Sequence, residues 1–214
     1  MSNHIFNPHL LEQVDHQRFL RVDSDRLEIY LALEYLQPAE CQALIQIGEG
    51  RLRRSTVTVP VDDPDYRTSQ TCDIGLIDDL FVGELQKRIA NTLGIDLSHA
   101  EVMQLQRYEP GEQFKGHTDY FEPGSQEYAE NALQSGNRTW TFMIYLNEVS
   151  GGGETRFDAL GVAFKARTGM AVIWNNHWAG APNPNSIHAG QPVNEGLKYV
   201  VTQWFRERKT NSTL

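Results

Sequence analysis

Apolar and polar positions change period near the middle of the chain. Before residue 100 the apolar positions recur at three and four residues; from Glu101 they alternate. The first pattern predicts helices that each bury one stripe, and the second predicts strands with two faces. Residues 27–36 (LEIYLALEYL) fit either helix or strand, because a short apolar run carries too few periods to decide. Pro38 stands at a favourable first helical position, and a helix is expected from there through Cys41, Leu44, Ile45 and Ile47, ending near Gly48 or Gly50. A second amphipathic helix is expected over 76–93, carried by Leu80, Phe81, Leu85, Ile89 and Leu93, with Gly94 at its end. Between them, Ser55–Val59 reads as a β-rich segment, and residues 60–70 as a turn-rich surface loop. Arg51 and Arg53 read as a solvated strand edge.

After residue 100 strands are expected over 101–108, 114–119, 139–146, around 162–165, 170–174, 186–188 and 197–205. Many short strands with no strand–helix–strand rhythm predict a mainly β protein, a double-stranded β-helix or jelly roll backed by helices. Residues 1–26 read as an N-terminal extension, a helix or turn leading into the domain. Residues 27–100 read as a support region, 101–207 as the catalytic core and 208–214 as a flexible tail. The polar connection 120–138 is long enough to suggest a lid or binding loop.

Composition narrows the class. The chain has 214 residues, 40% hydrophobic, with a formal net charge of -9. That charge argues against a general nucleic-acid-binding surface. The N-terminal residues have neither the basic nor the apolar stretch of a secretory signal, and no apolar run is long enough to span a membrane. Cys41 and Cys72 cannot build a disulfide framework and read as buried free thiols, consistent with a reducing cytoplasm.

Candidate chemistry lies in the β-rich half. His117 and Asp119 are two apart, so a strand would place both side chains on one face. With His188 from a distant strand they make a two-histidine, one-carboxylate set of the kind that holds non-haem Fe(II) with open positions. Lys198 begins an alternation with Val200, Thr202 and Trp204 that looks interior. A buried ammonium there needs an anionic partner.

These features resemble prolyl 4-hydroxylase-type 2-oxoglutarate/Fe(II) dioxygenases. The resemblance runs from about residue 35 to 207 and rests on motifs in order. They include Arg67-Thr68-Ser69, LQRYEPG at 105–111, HTDYF at 117–121, FMIYLNEVSGGGET at 142–155, PNSIHAGQPV at 184–193 and KYVVTQW at 198–204. It implies His117, Asp119 and His188 as iron ligands and Lys198 as the partner of the distal carboxylate of 2-oxoglutarate. Tyr108 would line the cosubstrate pocket, Thr141 would lie near the same carboxylate, and Trp204 would face cosubstrate or substrate. Tyr145 is a further candidate, also explicable as core. Glu154 and Thr155 read as structural, and Arg67 could meet either substrate or solvent. Asn183, Asn185 and Gln191 stand where many members have other residues, and none of the three replaces a ligand.

The resemblance further implies Fe(II), 2-oxoglutarate and O₂, with ascorbate as a reductant. The expected substrate is a peptide or protein with an accessible proline. A free amino acid or small metabolite remains an alternative, as does a non-catalytic metal-binding module. No nucleic-acid or membrane partner is expected, and monomer and homodimer both remain open.

Overall fold

The computed structural model describes residues 19–58 and 62–210. The first 18 residues of the expected extension, Val59 and residues 211–214 of the expected tail lie outside the described residues. The first half contributes strands β1 (Leu20–Arg21), β2 (Ile29–Ala32), β3 (Arg53–Arg54), β4 (Gln70–Cys72), β5 (Gln104–Tyr108) and β6 (Phe114–His117). The second contributes β7 (Arg138–Tyr145), β8 (Gly151–Gly152), β9 (Thr155–Phe157), β10 (Val162–Phe164), β11 (Ala171–Asn175), β12 (His177–Trp178) and β13 (Ala181–Pro182). The last three are β14 (His188–Gly190), β15 (Val193–Glu195) and β16 (Lys198–Arg206).

An eight-stranded sheet runs in the order β1-β2-β11-β7-β16-β5-β4-β3, and a four-stranded sheet in the order β10-β9-β14-β6. The pairings in both sheets are antiparallel. This is the jelly-roll-like architecture expected from the alternation.

Period two explains why the large sheet carries two cores. Phe142, Ile144, Ile173, Val201 and Phe205 belong to the core formed with the helices. Their neighbours Met143, Tyr145, Val172, Trp174 and Val200 belong to a second core that includes Phe157 of the small sheet. Each central strand is therefore apolar on both faces, as a sheet covered on both sides requires.

Helix α1 (Pro38–Glu49) begins and ends as expected, with Pro38 at its start and a capping box between Gln37 and Glu40. The helix expected over 76–93 is shorter. Ile74–Leu76 form a 3₁₀ turn, and α2 spans Leu80–Leu93. Asp79 decides the start, because its carboxylate accepts from the backbone N–H groups of Phe81 and Val82. Leu80, counted as a core position, is 90% exposed in that first turn.

Other expectations shift similarly. The ambiguous 27–36 segment is a strand followed by a turn, held to β11 by pairing of Ile29–Ala32. Leu20–Arg21, expected as helix or turn, pair with β2 as an edge strand. Among the described residues of the basic and β-rich segment, only Arg53–Arg54 form a strand, while Ser55–Val57 have no regular structure. The 120–138 connection carries a short helix, α3 (Gln126–Asn131), capped by Ser125. Tyr120 and Phe121 are buried at its beginning.

Candidate metal and cosubstrate site

The two strands that carry the histidines are adjacent. In the small sheet β6 pairs with β14, and His117 lies directly across from His188. The register then slips, for Phe114 lies opposite Gly190. Four positions on β6 (114–117) thus match three on β14 (188–190), which is a bulge in β6. The bulge allows Phe114 and His117, three residues apart, to share a face. Their rings stack with centroids 3.5 Å apart and planes at 16°.

The alternation places Asp119 on one strand with His117, and the structure does not. β6 ends at His117 and Asp119 sits in the bend beyond it. The carboxylate still meets both imidazoles, because the bend is held from the neighbouring sheet. Thr141 donates to Asp119 Oδ2 at 2.6 Å, and Arg138 Nη1 donates to its main-chain oxygen at 3.4 Å.

His117, Asp119 and His188 offer ligand atoms that all lie within 4.8 Å of one another. Both imidazoles are in the tautomer a metal needs. His117 Nδ1 lies 2.8 Å from the Lys115 carbonyl and His188 Nδ1 lies 2.9 Å from the Ser186 carbonyl. A carbonyl only accepts, so each Nδ1 carries the proton and each Nε2 presents a lone pair. Those Nε2 atoms stand 3.9 Å from Asp119 Oδ1 and Oδ2 respectively.

The Ser186 carbonyl is aimed by local chemistry. Pro184–Ser186 form a 3₁₀ turn where a strand over 186–188 is expected. The Asn183 carboxamide caps this turn, and the Ser186 hydroxyl donates back to the Asn183 carbonyl.

Electrostatics favour the ligand forms. Burial, then the neighbouring His188, lowers His117 to about 3, so it is a neutral donor near neutral pH. Burial opposes charge on Asp119, but its surroundings, the Arg138 guanidinium and the Thr141 hydrogen bond among them, hold its carboxyl below the usual value.

Lys198 lies in the same pocket, 2% exposed. Its Nζ stands 4.9 Å from the Tyr108 ring centroid and 5.5 Å from that of Tyr145. Among the described residues it makes no ion pair. Burial lowers it to about 8, against the opposing influence of Glu154. Val200, Thr202 and Trp204 line the pocket with it, as the alternation predicts. Trp204 is 7% exposed, its ring faced by the Arg138 guanidinium at 4.3 Å, and its indole N–H has no partner among the described residues. Tyr108 is buried in the pocket wall, its hydroxyl donating to Gln106 at 3.3 Å.

Thr141 is elsewhere. It pairs across from Trp204, six residues along β16 from Lys198, or about 20 Å at the rise of a strand. Its hydroxyl serves Asp119 rather than a carboxylate at Lys198. The hydroxyl that lines the pocket from the small sheet belongs to Thr155, read from sequence as structural. Thr155 accepts from Tyr145 Oη at 2.6 Å. Sequence reasoning also missed Phe114, Trp174, Gln106 and Met143 in the lining. Alternation with Tyr108 could have found Gln106, whereas Phe114 had no signal before the bulge was seen.

Arg67 forms a β-bridge with Phe114 and lies over its ring at 4.8 Å, and its Nη1 donates to the Thr56 carbonyl. Arg53 is exposed and paired with Asp73, as expected of a solvated edge. Cys41 and Cys72 are buried free thiols.

Residues 103–206 match the family model of the 2OG-Fe(II) oxygenase superfamily. The mouse prolyl 4-hydroxylase subunit alpha-1 is 32% identical over 189 residues, which cover 86% of this chain and 35% of that protein. The chain thus spans about a third of that relative's length. A putative prolyl 4-hydroxylase of Acanthamoeba polyphaga mimivirus is 30% identical over 195 residues, covering 89% of this chain and 79% of the relative. The crystal structure of a viral collagen prolyl hydroxylase from Paramecium Bursaria Chlorella virus-1, in complex with 2-oxoglutarate, superposes with a TM-score of 0.67 at 23% identity. That match covers 83% of this chain and 95% of the other, and it supports the same fold.

Proposed function

The chain belongs to the prolyl 4-hydroxylase family of 2-oxoglutarate/Fe(II) oxygenases, and we propose that it 4-hydroxylates a prolyl residue in a peptide or protein. The observation that carries this reading is one pocket holding two imidazoles with Nδ1 bonded to a carbonyl, a carboxylate, and a buried lysine without an anionic partner among the described residues.

His117, Asp119 and His188 would hold Fe(II), and three protein ligands leave positions open for a chelating cosubstrate and dioxygen. Bound iron with 2-oxoglutarate supplies the oxidising chemistry: decarboxylation to succinate and CO₂ coupled to hydroxylation of the substrate. The protein binds and orients. Lys198 would give a charge-assisted hydrogen bond to the distal carboxylate of 2-oxoglutarate. The Tyr108 and Tyr145 rings flank that ammonium, and Thr155 offers a neighbouring hydroxyl. Trp204 faces the pocket beside the ligand set, where an aromatic surface suits a prolyl ring.

A module that binds metal without turnover would gain nothing from a buried cation beside the ligand set, so the enzyme reading is preferred. A reducing cytoplasm, ascorbate as reductant and a monomer or homodimer without nucleic-acid or membrane partners complete the proposal. The buried free thiols favour that compartment. No helix among the described residues is long and apolar enough to cross a membrane.

Anaerobic Fe(II) plus 2-oxoglutarate should produce a weak visible charge-transfer band in the parent and none in His117→Ala. Incubation with a host lysate should then add one oxygen to prolyl residues, read by peptide mass spectrometry. A parent without the band overturns the metal reading. Oxygen added only to small molecules overturns the prolyl-peptide reading.

A further inference from the structure

Behind Asp119 three buried side chains form a single line of hydrogen bonds. Trp174 Nε1–H donates to Asn176 Oδ1 at 3.0 Å, and Asn176 Nδ2–H donates to Thr141 Oγ1 at 2.8 Å. Thr141 Oγ1–H then donates to Asp119 Oδ2 at 2.6 Å. Trp174 is 1% exposed, and Asn176 and Thr141 are 0% exposed, so water does not compete for these groups.

The direction of the line is set at its far end. An indole N–H can only donate, so the atom facing it must be the carboxamide oxygen. That orientation turns the Asn176 NH₂ toward Thr141, whose oxygen must accept. The hydroxyl has one proton, and it is left for Asp119. Backbone bonds hold Asn176 in place on both sides: its N–H donates to the Thr139 carbonyl, and its carbonyl accepts from Asn183 N–H. The Trp174 ring also packs edge-on against His188, with centroids 4.7 Å apart. One side chain therefore touches one candidate ligand directly and reaches another through the relay.

We infer that Asn176, oriented by Trp174, is a positioning residue that makes Thr141 a permanent donor to Asp119 Oδ2. Asp119 is thereby held as a ligand through Oδ1 alone. A carboxylate free to turn could offer both oxygens and take up a position the cosubstrate needs. With Oδ2 engaged, the ligand set stays at three donor atoms and the open face is preserved. The inference rests on Asp119 being a metal ligand, as proposed above.

The direction can be reversed by single substitutions. In Asn176→Asp the carboxylate can only accept, so it draws the Thr141 proton away from Asp119. Thr141→Val keeps the shape and deletes the hydroxyl, while Thr141→Ser keeps the hydroxyl. Trp174→Phe keeps an aromatic ring against His188 but removes the donor that orients Asn176.

The test measures Mn(II) affinity by electron paramagnetic resonance and the visible absorption of the Co(II)-loaded protein, with thermal unfolding of the metal-free protein as the folding control. Asn176→Asp and Thr141→Val should weaken Mn(II) binding about 10–100-fold and shift the Co(II) bands. Thr141→Ser should stay within about threefold of the parent on the same argument, and Trp174→Phe should fall between. If Thr141→Val does not fold, Asn176→Asp and Trp174→Phe carry the test. Parent-like affinity and Co(II) spectra in Asn176→Asp and Thr141→Val overturn the inference while leaving the metal reading intact. Weakening by Thr141→Ser equal to that by Thr141→Val also overturns it, since packing would then explain both. A parent that binds no Mn(II), indistinguishable from Asp119→Ala, overturns the metal reading and this inference with it.

Discussion

Lys198 faces Tyr108 directly across the β5–β16 ladder, with its ammonium 4.9 Å from the phenol ring. Ring faces attract a cation but do not neutralise it. The pocket therefore holds a dehydrated charge whose best partner is an anion.

That charge makes cosubstrate binding depend on pH. Burial lowers Lys198 to about 8 in the free protein. A bound dicarboxylate favours the ammonium and raises that value, so binding takes up a proton once the pH exceeds about 8. The dissociation constant for 2-oxoglutarate should accordingly rise about tenfold per pH unit above that point. Titrating the visible band of the Fe(II) complex with 2-oxoglutarate from neutral to alkaline pH measures this; a flat profile would contradict it.

Without cosubstrate the same lysine should cost stability. Its folded value is below the unfolded one, so the unfolded chain binds more protons between about pH 8 and 10.4. Stability should rise with pH through that window. Lys198→Met removes the buried charge and should stabilise the free protein by about 1–3 kcal/mol while abolishing 2-oxoglutarate binding. Urea unfolding with and without cosubstrate separates the two effects.

Glu101, in the irregular segment just before β5, is joined to two arginines. It accepts from Arg138 Nε and Nη2 at 2.6 and 2.7 Å, and from Arg206 Nη1 at 3.1 Å. Burial works against its charge, but the arginines hold its carboxyl below the ordinary value. A depressed carboxyl contributes stability above its unfolded value, near 4.3, and loses it as pH falls through the folded value. Glu101→Gln leaves two cations undercompensated and should cost about 2–3 kcal/mol at neutral pH. The difference from the parent should shrink in acid, as read by unfolding at pH 7 and below 4.

Two glycines should respond oppositely to alanine. Gly169 has φ +78°, and a Cβ there would collide with the Leu36 carbonyl oxygen. Gly169→Ala should destabilise by about 2–4 kcal/mol. Gly83 lies within α2, where a Cβ would meet none of the described residues within 4 Å beyond its own helix backbone and chain neighbours. Gly83→Ala should stabilise by about 0.5–1 kcal/mol. Thermal unfolding of both variants checks the pair.

Much of the site was legible before folding because strand alternation is a local property. Side chains two apart share a face, so Lys198, Val200, Thr202 and Trp204 had to line one surface, and they do. The same rule misplaced Asp119, because it takes the strand to continue through residue 119. The place of Thr141 near the distal carboxylate was implied by the resemblance alone, and alternation could not check it. Its face follows from alternation, but its height along that face depends on which residue of β16 it meets. Inter-strand hydrogen bonds between distant segments set that register.

By its own pattern, then, the sequence determined the elements that face two ways, the ligand residue types and the interior run from Lys198. These follow from periodicity and donor chemistry, which short stretches of chain carry with them. Only the tertiary structure decided that the β6 bulge would bring Phe114 onto His117, and that the Asp119 bend would be held by Thr141. It also decided that a tryptophan on β11 would set the direction of that bond. Each of these depends on pairing between segments far apart in the chain, where one residue of slip turns a side chain to the opposite face.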